Sequence, residues 1–139
     1  TTRAIRFNAA LSYTNNNAAT ADLTVKLTLG ATALSTLTWT NIPISASARS
    51  ISVESIISER NATNDQSTLT RATISASGAG AIAADIPDGA GVVANAVYGV
   101  HGITTVDTTA ASALALTVTH DAASANQSII FQFAQVELL

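Results

Sequence analysis

The chain has no cysteine and no methionine, only two prolines and one tryptophan, and just 11% charged residues in a length of 139. Each shortage excludes something. Without cysteine there is no disulfide framework, no thiolate nucleophile and no cysteine-ligated zinc. Charge at 11% is under half the roughly 25% of an ordinary globular domain. The six basic residues, Arg3, Arg6, Lys26, Arg49, Arg60 and Arg71, are scattered. They form no stripe that would neutralise phosphates, so nucleic acid is not an expected partner. No apolar run approaches the length of a membrane-spanning helix, so no membrane partner is expected. The opening TTRAIRFNAALSYT alternates and does not present the continuous apolar core of a signal peptide. Methionine is missing even at position 1, which is expected of a start that was processed or trimmed before Thr1.

What remains is 47% hydrophobic, with a net charge of −3, and the rest is mostly Ser, Thr, Asn and Gly. A chain of this kind shows water a neutral, hydroxyl-rich surface, or hides much of its surface against copies of itself. The expected class is a coat-type structural protein and not an enzyme. The length suits a single domain over residues 1–139, burying roughly 68–70% of the unfolded surface.

The apolar period is 2 along nearly the whole chain, the mark of half-buried strands. In Asp22 to Gly30, Leu23, Val25, Leu27 and Leu29 share one face while Asp22, Thr24, Lys26 and Thr28 share the other. Leu114, Leu116 and Val118 are predicted to point inward from a second clean strand. Eight strands are predicted, roughly at 3–14, 22–29, 33–40, 48–58, 67–77, 92–101, 112–120 and 127–138. Asn15-Asn16-Asn17, Gly30, Pro43, Asn61 to Asp65, Pro87-Asp88-Gly89 and Asp121 to Asn126 supply the turns between them. Arg49 to Arg60 fits a bulged strand or a short helix, its Ser and Ile content favouring the strand, and Gly78 to Gly91 is predicted as a long loop. Strand spacings of about 10 to 20 residues with long middle loops suit a jelly roll better than the tight hairpins of an up-and-down barrel. The expected fold is therefore all-β, an antiparallel eight-stranded jelly-roll sandwich.

The final strand, Ser128 to Leu139, is apolar on both faces. Simple alternation places Ile129, Phe131 and Phe133 on one face, and Ile130, Val136 and Leu138 on the other. A second apolar face needs a cover, and a subunit contact is the simplest one.

The order of segments resembles a known family. AIRFNAALSYT opens the chain, ADLTVKLTLGATALS follows, and a hydroxyl-rich middle carries LTRATIS. The last 36 residues, TTVDTTAASALALTVTHDAASANQSIIFQFAQVELL, resemble the closing module of tailed-phage virion proteins: "VDTTAA", an alternating strand, a small-residue turn and an apolar strand with a late Glu. Such modules are similar to tumour-necrosis-factor-like jelly rolls that assemble as trimers, so the resemblance implies a homotrimer. The first strand is predicted to begin close to Thr1, so no shaft is expected ahead of it. The expected role is thus a capsid decoration (cement) protein on the capsid exterior of the virion, with the major capsid protein as partner. The alternative is the receptor-binding head domain of a tail fibre or spike.

No catalytic, metal or cofactor-binding residues are expected. His101 and His120 are the only histidines, and His120-Asp121 reads as a solvated turn pair. Two histidines from different strands do not make the close spacing of a zinc site. Gly78-Ala79-Gly80 and Gly89-Ala90-Gly91 lack the lysine and helix of a phosphate loop. Asp85 and Asp88 are too few oxygen ligands for calcium and read as turn caps. Trp39, Tyr13 and Tyr98 suit core or subunit packing better than a sugar-stacking surface. Phe131, Phe133, Tyr98 and Trp39 are the expected trimer-packing residues, and Thr1, Thr2, Arg3 and Arg6 the expected capsid contacts.

Overall fold

The computed structural model describes residues 3–60, 64–75, 86–87, 92–93, 96–109, 111–121 and 124–139, and the backbone alone at 86–87, 92–93 and 96–100. Strand β1 runs Ala4–Asn15, β2 Ala21–Leu29, β3 Thr32–Ile42, β4 Ser45–Glu59 and β5 Gln66–Ile74. Two short pieces follow, β6 at Ile86–Pro87 and β7 at Val92–Val93, which pair with each other. Then come β8 at Ala96–Thr104, β9 at Leu114–His120 and β10 at Gln127–Leu138. There is no helix among the described residues. The predicted loop at 78–91 thus holds the small β6–β7 ladder's first strand, and its remaining residues lie outside the described ones.

The eight long strands form two antiparallel sheets, a large one in the order β10-β1-β4-β5-β8 and a small one in the order β3-β2-β9. An all-β protein of eight principal antiparallel strands in two sheets is what the periodicity predicts. The division differs from an even jelly-roll split, because β4, β5 and β8 run on as consecutive neighbours beside β1 and load five strands onto one sheet.

Alternation explains the core. Phe7, Ala9, Leu11 and Tyr13 of β1, and Leu23, Val25, Leu27 and Leu29 of β2, are buried on one face of each strand. Trp39, Ile42, Ile51, Val53, Ile57, Ala72 and Ile74 complete the cluster. Burying one such aliphatic or aromatic side chain contributes roughly 1.5–3 kcal/mol. The ambiguous segment is a continuous strand: Arg49, Ile51, Val53, Ser55 and Ile57 of β4 all face inward. The odd spacing of its apolar residues arises because Ser55 occupies an inward position. Its hydroxyl is satisfied by Thr70 at 2.9 Å within the core.

At one side the two sheets meet through glycine. A Cβ on Gly102 of β8 would lie 3.0 Å from the Leu34 carbonyl oxygen of β3, tighter than an ordinary contact, so glycine favours this close approach. With β3 against β8, the three strands of the small sheet end before they reach β10.

In β10 the structure overturns simple alternation. Ala10 pairs with Phe133 and Leu11 with Phe131, so Gln132 is an extra residue, a β-bulge. The bulge shifts the phase by one. Ile129, Phe131, Ala134, Val136 and Leu138 align with Tyr13, Leu11, Ala9, Phe7 and Ile5 on the core side. Ile130 and Phe133 align with Ser12 and Ala10 on the outer side. Phe131 and Phe133, expected on one face, are therefore on opposite faces.

Candidate functional site

Among the described residues the molecule's most unusual surface is β10. Six of the nine exposed large apolar residues fall between 130 and 139, with Leu138 75% exposed, Val136 57% and Phe131 50%. The last three point to the core side, yet the small sheet offers them no strand to pack on. Across the gap, Leu114, Leu116 and Val118 of β9 are only partly buried, as is Ile129. An apolar cavity of about 210 Å³, lined by Ile5, Leu29, Ile57, Gln66, Thr108 and Leu138 among others, lies at the end of the sandwich where β10 finishes. The sandwich is thus closed at the β3–β8 side and open at the β9–β10 side.

The outer face of the large sheet is different. Small and polar side chains (Ala10, Ser12, Ser50, Ser52, Thr73) floor a shallow trough of about 340 Å³ beside Gln132. A neighbouring depression of about 340 Å³ is lined by Asn8, Ser52, Glu54, Phe133 and Gln135. Arg6 donates through Nη1 to Glu137 Oε2 at 3.3 Å, and its Nε lies 3.8 Å from Glu54 Oε1, tying β10, β1 and β4 together on this face. Exposed pairs of this kind are worth about 0–1 kcal/mol.

The structure disperses the expected site residues. Trp39 has no exposed surface and packs inside its own chain, so it cannot reach a neighbouring copy in this conformation. Phe131 and Phe133 are each about half exposed, on opposite faces. Tyr98 has a described backbone, pairing with Ala72, but its side chain lies outside the described residues. Thr1 and Thr2 also lie outside them. Arg3 is exposed, and Arg6 is already held by two carboxylates of its own chain. The glycine-rich segments at 78–80 and 89–91, with Asp85 and Asp88, fall outside the described residues.

His101 and His120 sit on strands of different sheets, β8 and β9. Among the described residues no three His, Asp or Glu side chains gather as a metal site. His101 Nε2 and Ser67 Oγ share a hydrogen bond of 3.0 Å on the exposed outer face. Among the described residues, no carboxylate is bonded to His101 to orient it as the base of a nucleophilic site.

Sequence reasoning missed Gln66. Its Nε2 donates to the Val106 carbonyl oxygen and its Oε1 accepts from the Val106 N–H, both at 2.8 Å and both buried. This clamp fixes the start of the VDTTAA segment. Asp107 Oδ1 then accepts from the Thr109 N–H at 2.9 Å and from Thr109 Oγ1 at 2.6 Å. Those bonds hold the Asp107 carboxyl below its ordinary range. Thr108 Oγ1 donates to Glu59 Oε1 at 3.0 Å. The segment is a pinned turn. Nothing local in the sequence marks it, because Gln66 is a polar residue at a strand start and its partner lies 40 residues away.

At the opposite end, Asn15 Nδ2 donates to the carbonyls of Ala19 and Ile42, and Gln127 Nε2 donates to Asn15 Oδ1. Burial raises the Tyr13 hydroxyl above its ordinary value of 10.0, nearby Asp121 adds to the rise, and Arg49 opposes it. The folded state therefore keeps this proton longer than the unfolded chain does. Its stabilising contribution is intact below pH 10 and is lost as the pH climbs through the raised folded value. Urea midpoints are expected to fall above about pH 10, and to fall less steeply in Tyr13→Phe. Equal slopes in the two proteins would show that Tyr13 is not the group responsible.

No protein-family model matches the chain, and no curated protein or solved structure is significantly similar to it.

Proposed function

We propose that this chain is a structural virion protein, a capsid decoration protein that binds the major capsid protein as a homotrimer and strengthens the phage head. The observation that carries the reading is the open β9–β10 side, where Phe131, Val136 and Leu138 stand half or more exposed in register with core residues, an apolar surface of the kind that marks an interaction site. The sparse charge and the segment order from AIRFNAALSYT to the VDTTAA module support it. A jelly-roll-like wrapping is supported by nested pairing: first strand with last (β1–β10), second with next to last (β2–β9), β3 close to β8, and β4 with β5 innermost. Threefold assemblies suit the threefold and quasi-threefold positions of a shell.

Two measurements test it. Light scattering is expected to return three times the 14.1 kDa chain mass. Heads lacking the protein are expected to lose heat and chelator resistance while host adsorption is unchanged, because binding that favours the assembled shell stabilises it by mass action. Equally resistant heads with lost adsorption would replace this reading by the second one, a receptor-binding fibre or spike head. One observation favours that second reading: Phe133 stands half exposed beside Asn8, Glu54 and Gln135, an aromatic edge on a polar trough of the kind that suits a glycan.

A further inference from the structure

We propose that the outer face of the large sheet binds a neutral oligosaccharide, seated in the trough beside β10 with Phe133 as its stacking platform. The site goes beyond the head role and, resting on the second reading above, gives that reading its ligand class.

The bulge builds the site. Without the extra residue Gln132, simple alternation would put Phe133 on the core side with Phe131. The bulge turns Phe133 outward, opposite Ala10, and leaves Gln132 on the rim of the same trough. Phe133 is 54% exposed, and its neighbours there include Asn8, Ser52, Glu54 and Gln135. An aromatic side chain among polar groups suits a ligand with one apolar face and a polar rim. A pyranose ring is built that way, with C–H groups on its face and hydroxyls around its edge. The negative face of an aromatic ring attracts the weakly positive C–H groups.

The floor supplies partners for the hydroxyls. The depression beside Phe133 and the one beside Gln132 share Ala10 and Ser52, so they form one continuous trough. It runs about 13 Å along β1 from Asn8 to Ser12 and about 14 Å across the strands from β10 to β5, room for more than one sugar ring. Ser and Thr hydroxyls both donate and accept, as do Asn and Gln amides, which matches a ligand whose own hydroxyls do both. Among the described residues, the side chains of Asn8, Ser52, Thr73 and Gln135 form no hydrogen bond within the chain, so their capacity is open to a ligand.

Two features choose the class. Glu54 is the charged residue lining the trough, with its Oε1 3.8 Å from Arg6 Nε. Its carboxylate accepts hydroxyl hydrogens in charge-assisted bonds, and it repels a sulfate, phosphate or sialic carboxylate. Ser and Ala dominate the floor, and both are depleted from protein interfaces. Strands β1, β4 and β5 are each paired on both sides, so the floor offers no edge for an added peptide strand.

The test is a titration of the isotope-labelled full chain with maltotriose, mannotriose, chitotriose and lactose, followed by its amide NMR spectrum, with sialyllactose as the anionic comparator. At least one neutral sugar is expected to shift the amides of Asn8, Ala10, Ser52 and Phe133, and sialyllactose to bind no better than lactose. Phe133→Ala is expected to weaken that binding about three- to tenfold. Ser52→Gln, which fills the space shared by both depressions, is expected to abolish it. Val136→Ala, on the opposite face of β10, is expected to leave it unchanged. Phe133 and Ser52 are exposed, so both variants are expected to keep the buried-Trp39 emission. Should either fail to fold, the map of shifted amides in the wild type decides. Trough amides that respond to no neutral sugar, or a folded Phe133→Ala that binds as well as wild type, would overturn the site. So would trough amides that shift with protein concentration and not with sugar, since the face would then lie between copies. Sugar binding with unchanged host adsorption keeps the trough and removes the receptor role, so the two fail separately.

Discussion

Trp39→Ala is expected to remove a large part of the folding free energy. Trp39 is the bulkiest fully buried side chain, placed on β3 opposite Leu23 of β2, in the layer between the two sheets. Truncating a buried Phe or Trp to Ala costs about 3–5 kcal/mol, lost transfer energy plus the cavity left behind. Against the 5–15 kcal/mol that holds a typical domain together, that is a third or more of the total. Urea denaturation followed by far-ultraviolet dichroism measures it, since the fluorescent reporter is gone. A midpoint close to wild type would mean that Trp39 is not a core residue, and would reopen its expected place between subunits.

Gln66→Leu is expected to destabilise the protein by about 2–6 kcal/mol, although leucine fills nearly the same volume. The side chain is 1% exposed and carries both hydrogen bonds to the Val106 backbone. Leucine would leave a buried N–H and a buried C=O without partners, and each such orphan costs about 1–3 kcal/mol. The effect should be local before it is global. Val106 is 8% exposed and caps one end of the core, and Thr108 reaches Glu59 just beyond it. Amide exchange at Val106 and Thr109 is expected to accelerate well below the denaturation midpoint. An unchanged exchange rate at Val106 would show that the clamp does not hold the VDTTAA turn.

Strand identity was largely legible. The alternation of Leu23, Val25, Leu27 and Leu29 predicts a strand with one dry face, and all four residues are buried. Leu114, Leu116 and Val118 face inward as predicted, but they are only partly covered, because coverage depends on what the opposite sheet contributes. The final strand's two apolar faces were visible, whereas the assignment of residues to faces was not. One bulged residue, Gln132, reverses the phase of everything on one side of it, and nothing local in SIIFQFAQ marks which residue is extra. Gln66 looked like an ordinary polar residue at a strand start. Its partner lies 40 residues away in sequence, so the pairing exists only once β5 and the segment after β8 are brought together.

By itself the sequence determined the all-β class, the eight principal strands, the inward and outward residues of β2 and β9, and the scarcity of charge. These follow from a period of two and from composition, which are local and additive. The tertiary structure alone decided that five strands stack over three, that Trp39 is interior, and that Phe131 and Phe133 part company across the large sheet. It also decided that the apolar excess of the final strand is left open beside β9. Those outcomes depend on strand order and register, which arise from hydrogen-bonded neighbours far apart in the chain and leave no periodic trace within any one segment.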